Sequence, residues 1–178
     1  MDRRDFLKTV AVSGAAMTIQ RSEAMEILTQ AVNSTGKPDL VAVMGDEPEL
    51  MFQRAIAELG GMKQFVKSGQ KVVVKPNIGW DKVPELAGNT NPKLVAEIVK
   101  QCFAAGAKEV TVFDHTCDDW QKCYKNSGIE SAAKAAGAKV MPAHLESYYR
   151  PVDLSEGKNM KKAKIHEAIL NCDVWINV

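Results

Sequence analysis

Apolar residues fall in short blocks along this chain, and the blocks repeat a rhythm. Leu40-Val41-Ala42-Val43, Val72-Val73-Val74, Val110-Thr111-Val112-Phe113, Val140-Met141 and Val174-Trp175-Ile176 each read as a short strand of the buried type. Helical patterns lie between them. Gly45-Asp46-Glu47-Pro48 opens one helix, with acidic residues at the cap and proline in the first turn. Leu50, Ala55, Ile56 and Leu59 form its apolar side, and Gly60-Gly61 closes it. Met62 to Val66 is a short amphipathic piece, and Ser68-Gly69-Gln70 turns into the next strand. Asn91-Pro92 opens a second helix, whose Leu94, Val95, Ile98, Val99 and Cys102 recur at spacings of three and four. Ala-Ala-Gly-Ala-Lys then occurs twice, at 104–108 and 135–139, each time between a helix and a strand. This alternation predicts an α/β fold: three layers, a mostly parallel sheet, right-handed crossovers and helices on both faces, Rossmann-like in outline. Residues 142–165 are less regular. Pro151-Val152-Asp153-Leu154 looks extended, residues 157–164 read as a basic hairpin, and a short helix precedes the last strand.

The two ends of the chain stand apart from that rhythm. Met1-Asp2-Arg3-Arg4-Asp5-Phe6-Leu7-Lys8, a weakly apolar stretch from Thr9 to Ile19, and Ser22-Glu23-Ala24 resemble a twin-arginine export signal. Asp2 departs from the usual Ser or Thr. The expected organisation is a signal segment at 1–24, a helix and linker at 25–38, and one α/β domain at 39–178. Periplasmic or otherwise exported localisation follows from that reading. A strand at 173–178 with no helix after it reads as a domain incomplete at its C-terminus.

Composition narrows the function classes. The chain has 178 residues, of which 46% are hydrophobic and 25% charged, enough for one domain with a sizeable core. A net charge of +1 and 6% aromatic residues give neither a basic footprint nor a base-stacking platform, so nucleic acid is not an expected partner. No apolar run reaches the roughly 18 residues of a membrane span.

Candidate chemistry gathers at two strand ends. Val72-Val73-Val74 leads into Lys75-Pro76-Asn77-Ile78-Gly79, and Val110 to Phe113 leads into Asp114-His115. Ligands of open α/β sheets bind beyond the carboxyl ends of strands. Lys75 offers a point charge to phosphate or carboxylate, Asn77 a donor and an acceptor, and Gly79 close backbone approach. Asn91 reads as a helix cap, and the amide donors of the helix it opens suit an anion. The loop between, residues 78–90, is long enough for a lid. Asp114-His115-Thr116-Cys117-Asp118-Asp119 is the densest run of potential ligands. Asp114 and His115 are the candidate acid–base or metal-ligating pair, with helix capping as the alternative role of the acids. Their spacing matches no standard zinc pattern.

Cys102 and Cys172 read as buried thiols. Cys117 and Cys123 are near enough in sequence to pair in an oxidising compartment. His144 and His166 read as surface or supporting residues. No Cys-x-x-Cys occurs, so no iron–sulfur motif lies within the chain, and the cofactor is left unassigned. Dinucleotide and mononucleotide glycine-loop fingerprints and the Gly-x-Ser-x-Gly elbow are also absent.

The ordered set of Gly69-Gln70-Lys71-Val72-Val73-Val74-Lys75-Pro76-Asn77, Thr90-Asn91-Pro92, Ala-Gly-Ala-Lys-Glu-Val at 105–110 and Asp173-Val174-Trp175-Ile176-Asn177-Val178 resembles the domain-of-unknown-function 362 family over residues 40–178. The resemblance implies export by the twin-arginine route and a redox setting beside iron–sulfur modules. It also implies a continuation of the form Pro-Lys-x-Lys-x-His after the last strand, and it transfers no catalytic role to any residue. Two readings stand at this point. In the first, the sheet's carboxyl edge binds a small anionic molecule or cofactor through Lys75, Asn77, Gly79 and Asn91, with chemistry from Asp114 or His115. In the second, the domain is a non-catalytic scaffold that docks an iron–sulfur partner through Tyr148-Tyr149 or residues 158–164.

Overall fold

The computed structural model describes residues 38–45 and 47–178. The signal segment expected at 1–24, and the helix and linker expected at 25–38 except for its last residue, lie outside them. In chain order the elements are α1 (Pro48–Glu58), β1 (Lys71–Lys75), α2 (Pro92–Ala105), β2 (Glu109–Val112), α3 (Trp120–Asn126), α4 (Ile129–Ala135), β3 (Lys139–Val140), β4 (Tyr149–Asp153), β5 (Lys162–His166), α5 (Glu167–Leu170) and β6 (Val174–Asn177). Single 3-10 turns at Met62–Gln64, Pro84–Leu86 and Glu146–Tyr148 fill the connections.

Four strands form a parallel sheet in the order β3-β2-β1-β6, with Val73 opposite both Thr111 and Trp175. The α/β class and parallel sheet are therefore as the pattern predicts. Side chains alternate between faces along each strand. Val72, Val74, Val110 and Val112 pack in one cluster with Ile56 of α1, Val95, Ile98, Val99 and Cys102 of α2, Tyr124 of α3 and Ile129 of α4. Val73 and Phe113 belong to a smaller cluster with Ala143, Met141, Ala168, Ile169 and Cys172. The third layer is thus thin: α5, a four-residue helix, stands on that side. β4 and β5 pair as an antiparallel hairpin outside the main sheet.

The repeated Ala-Ala-Gly-Ala-Lys has a clear local cause. Gly106 (φ 104°) and Gly137 (φ 97°) hold left-handed backbone just past the ends of α2 and α4. The amides of Ala107 and Ala138 each reach back five residues, to the carbonyls of Cys102 and Ala133 at 3.0 Å. Each copy ends a helix and aims the chain into a strand.

One expected element is missing. Residues 40–43 form no strand: Leu40 is 84% exposed and Met44 94%, while Val41 and Val43 are half-buried. A short apolar run becomes a strand only by joining a ladder. Both sides of β1 are taken by β2 and β6, and residues 40–43 join neither outer edge of the sheet, at β3 or at β6.

Chain direction positions the site. From β1 the chain passes through α2 to β2 and on to β3, all on one side. It returns at β6 to the other side of β1. The strand order reverses between β1 and β6, which is where open sheets leave a crevice beyond their carboxyl ends. Among the described residues no helix is long and apolar enough to cross a membrane.

Candidate functional site at the carboxyl edge of the sheet

Lys75 is the last residue of β1 and pairs in register with Asn177 of β6. Its ammonium lies 2.6 Å from Asp114 Oδ1, just beyond β2. The two sequence-predicted strand ends are therefore brought into direct contact. Their exposures differ: 32% of the Lys75 side chain is open, against 7% for Asp114. Asp114 Oδ2 accepts the Ile78 amide at 2.8 Å, so both carboxylate oxygens are committed. A buried carboxylate needs such partners to remain charged.

Tyr124 supports Asp114 from below. Its phenol oxygen accepts the Asp114 amide at 2.8 Å. Its single proton points at the carbonyls of Asp114 (2.8 Å) and Met141 (3.0 Å), tying the end of β2 to the end of β3. Burial pushes this phenol well above its ordinary range, so it stays protonated and able to donate. Sequence reasoning passed over Tyr124, which carried no signal beyond its place in a short helix.

The loop after β1 is folded by its own side chains. Asn77 Oδ1 accepts the Gly79 amide at 2.9 Å, and Asn77 Nδ2 donates to Gly88 O at 3.3 Å. Asn77 and Thr90 also exchange bonds: the Asn77 amide donates to Thr90 Oγ1 at 2.9 Å and the Thr90 amide to Asn77 O at 3.0 Å. Gly79 is buried, and its carbonyl accepts the amides of Cys117 (2.8 Å) and Asp118 (3.2 Å). A Cβ there would stand 3.0 Å from Asn77 Oδ1. Asn89 clasps Trp80 through both its side-chain atoms, at 2.9 and 3.0 Å. Residues 78–90 therefore form a pinned loop.

Asn91 caps α2, its Oδ1 accepting the Lys93 amide at 2.9 Å. Lys93 extends to Glu47 at 2.9 Å and Glu49 at 3.8 Å, and these carboxylates hold its ammonium above the ordinary lysine range. Of the run at 114–119, Asp119 caps α3 through the Lys122 amide at 3.0 Å.

His115 is exposed and edge-on to Tyr149, with ring centres 6.4 Å apart. The three histidines of the chain lie in one aromatic network at this edge. His144 lies flat on Trp120 at 4.5 Å and 6°. His166 is buried rather than superficial, stacked on Phe113 at 4.1 Å and edge-on to Tyr149. It sits there because the hairpin folds its last residue under the sheet's edge. Its Nδ1 accepts the Ala168 amide at 3.1 Å, which leaves Nε2 to donate to Pro142 O at 3.2 Å. Acceptance at Nδ1 requires the neutral ring, and burial pushes its pKa down. Tyr149 donates to Ala143 O at 2.9 Å; burial and then the Asp114 charge raise its pKa. Tyr148 and Tyr149 are half-buried within this network.

The four cysteines are free thiols. Cys102 is buried and its pKa is pushed up to about 12 by desolvation. Cys123 is buried and directs its thiol at Gly79 O (3.6 Å), while Cys117 is exposed. Cys172 is half-exposed just past α5. Among the described residues no three His, Cys, Asp or Glu side chains group as metal ligands.

The family model for DUF362, a domain of unknown function, matches residues 72–178, from the first residues of β1 through β6. The chain belongs to the DUF362 family. No curated protein and no solved structure matches it. The matched span contains Lys75, Asp114, Tyr124 and the aromatic network, so the carboxyl edge lies wholly within the DUF362 domain.

Proposed function

We propose that this DUF362 domain binds a small anion, or the anionic group of a cofactor, at the carboxyl edge of its sheet through Lys75. The Lys75–Asp114 pair beside the reversal of strand order carries the reading. Asp114 is committed to Lys75 and Ile78, so it orients the ammonium rather than meeting a ligand. An ammonium has three donors, and one is used here. The others are available from the exposed third of the side chain. Asn77, Gly79 and Asn91 shape the loop and helix around Lys75. His115, exposed three residues beyond the end of β2, is a side chain at this edge placed to exchange a proton with a bound molecule.

Isothermal titration of the full chain with inorganic phosphate and with acetate tests the reading. Lys75→Met is expected to weaken anion affinity about tenfold, the equivalent of one charge-assisted contact of about 1.4 kcal/mol. Equal binding by wild type and variant refutes the Lys75 site.

A further inference from the structure

Beyond Lys75 and Asp114, an open cavity of about 530 Å³ lies on the β3 side of the edge, lined by His115, His144, Leu145, Glu146, Tyr149 and Lys164. Three observations characterise it. First, its walls are flat rings. His144 is stacked on Trp120, meets Tyr148 in a T-shaped contact at 6.0 Å, and lines the cavity from an exposed position. Tyr149 is braced by His166 behind it, at 5.3 Å and 87°. Second, among the described residues neither His115 nor His144 has a hydrogen-bond partner for its ring nitrogens, whereas His166 has two. Third, among the described residues the ammonium of the nearby Lys164 is held by Glu146 alone, and both side chains are more than half exposed. A surface pair of this kind contributes little and is readily exchanged for another anion.

The cavity also adjoins the proposed anion site. His115 follows Asp114 directly, and the Asp114 charge acts on the Tyr149 phenol in the cavity wall. We infer that the cavity is a subsite for a planar aromatic or heteroaromatic ring, and that the ligand class of this edge is a ring bearing an anionic group. The ring lies against His144 and Tyr149, with His115 and Lys164 supplying donors at its rim, and the anion reaches Lys75. A planar ligand can make ring contacts with His144 and Tyr149 that a saturated one of equal charge cannot. This inference rests on the anion-binding reading, and the test separates the two.

The probes are 2-naphthyl phosphate and cyclohexyl phosphate, which share a charge and differ in planarity. Histidine Hε1 signals of the full chain report the site by proton NMR. The naphthyl ester is expected to bind about three- to tenfold tighter than the cyclohexyl ester, the worth of one or two ring contacts. It is expected to shift the His115 and His144 signals while the buried His166 signal stays in place. His144→Ala, a change at an exposed position, is expected to abolish the preference, and the unmoved His166 signal reports that the fold is intact. Lys75→Met is expected to weaken both esters and to leave their ratio unchanged. Equal binding of the two esters, or naphthyl binding that leaves His115 and His144 unmoved, overturns the ring subsite. A preference for the naphthyl ester with no effect of Lys75→Met upholds the subsite and removes the anion reading beneath it.

Discussion

At the residue scale, the edge depends on groups whose bonds leave no alternative. Tyr124→Phe removes the acceptor of the Asp114 amide inside the protein. An orphaned buried amide costs about 1–3 kcal/mol, so the midpoint of urea unfolding is expected to fall by that equivalent with an unchanged slope. His166 provides a second measurement. Its folded pKa is lowered by burial, so the unfolded chain takes up a proton first as the pH falls. Unfolding free energy is therefore expected to decline from about pH 7 toward pH 5, through the ordinary imidazole value near 6.5. His166→Gln, which keeps a donor and an acceptor, is expected to flatten that decline; urea unfolding at the two pH values compares them. Lys75 and Asp114 were legible because strand ends announce themselves in a sequence. Tyr124 was not, nor was the grouping of His144 and Tyr149 with the other rings of this edge, because their partners lie on other elements and nothing in their local pattern names those partners.

At the element scale, local signals and caps agree well with what forms. Asn91-Pro92 opens α2, and the two Ala-Ala-Gly-Ala-Lys copies close α2 and α4. The Asn91 side chain is spent on the Lys93 amide. Asn91→Ala is accordingly expected to cost about 1 kcal/mol of stability, read by urea unfolding, and to leave phosphate affinity within twofold. A large loss of affinity would instead place Asn91 in contact with the anion. The extended segment expected at 151–154 falls mostly in β4, but the hairpin is wider than the one expected within 157–164: its strands are β4 and β5, and most of the basic segment is the connection between them. Residues 40–43 show where local reading stops. Their apolar run is a good strand by composition, yet a strand forms only by joining a ladder, and these residues join neither β1, flanked by β2 and β6, nor the outer edges of β3 and β6.

At the scale of the whole molecule, protection should follow the layers. β1 is paired on both sides by β2 and β6, and its Val72, Val73 and Val74 are buried. Hydrogen exchange is expected to be slowest in β1 and β2 and fastest over residues 40–44, which belong to no ladder. Fast exchange throughout β1 would contradict the parallel sheet. β6, bonded to β1 on one side, should show alternate protected and open amides; its Trp175 is 52% exposed on the thinly covered face. By itself the sequence determined the α/β class, the starts and stops of α1 and α2 and the two charged strand ends, because periodicity, caps and turn residues are local properties of the chain. Tertiary structure alone decided that β6 lies beside β1, that Lys75 meets Asp114, that residues 40–43 are left unpaired, and that three histidines from distant positions share one aromatic edge. Those are matters of which elements become neighbours, and neighbourhood is set by how layers pack and which ladder edges remain open.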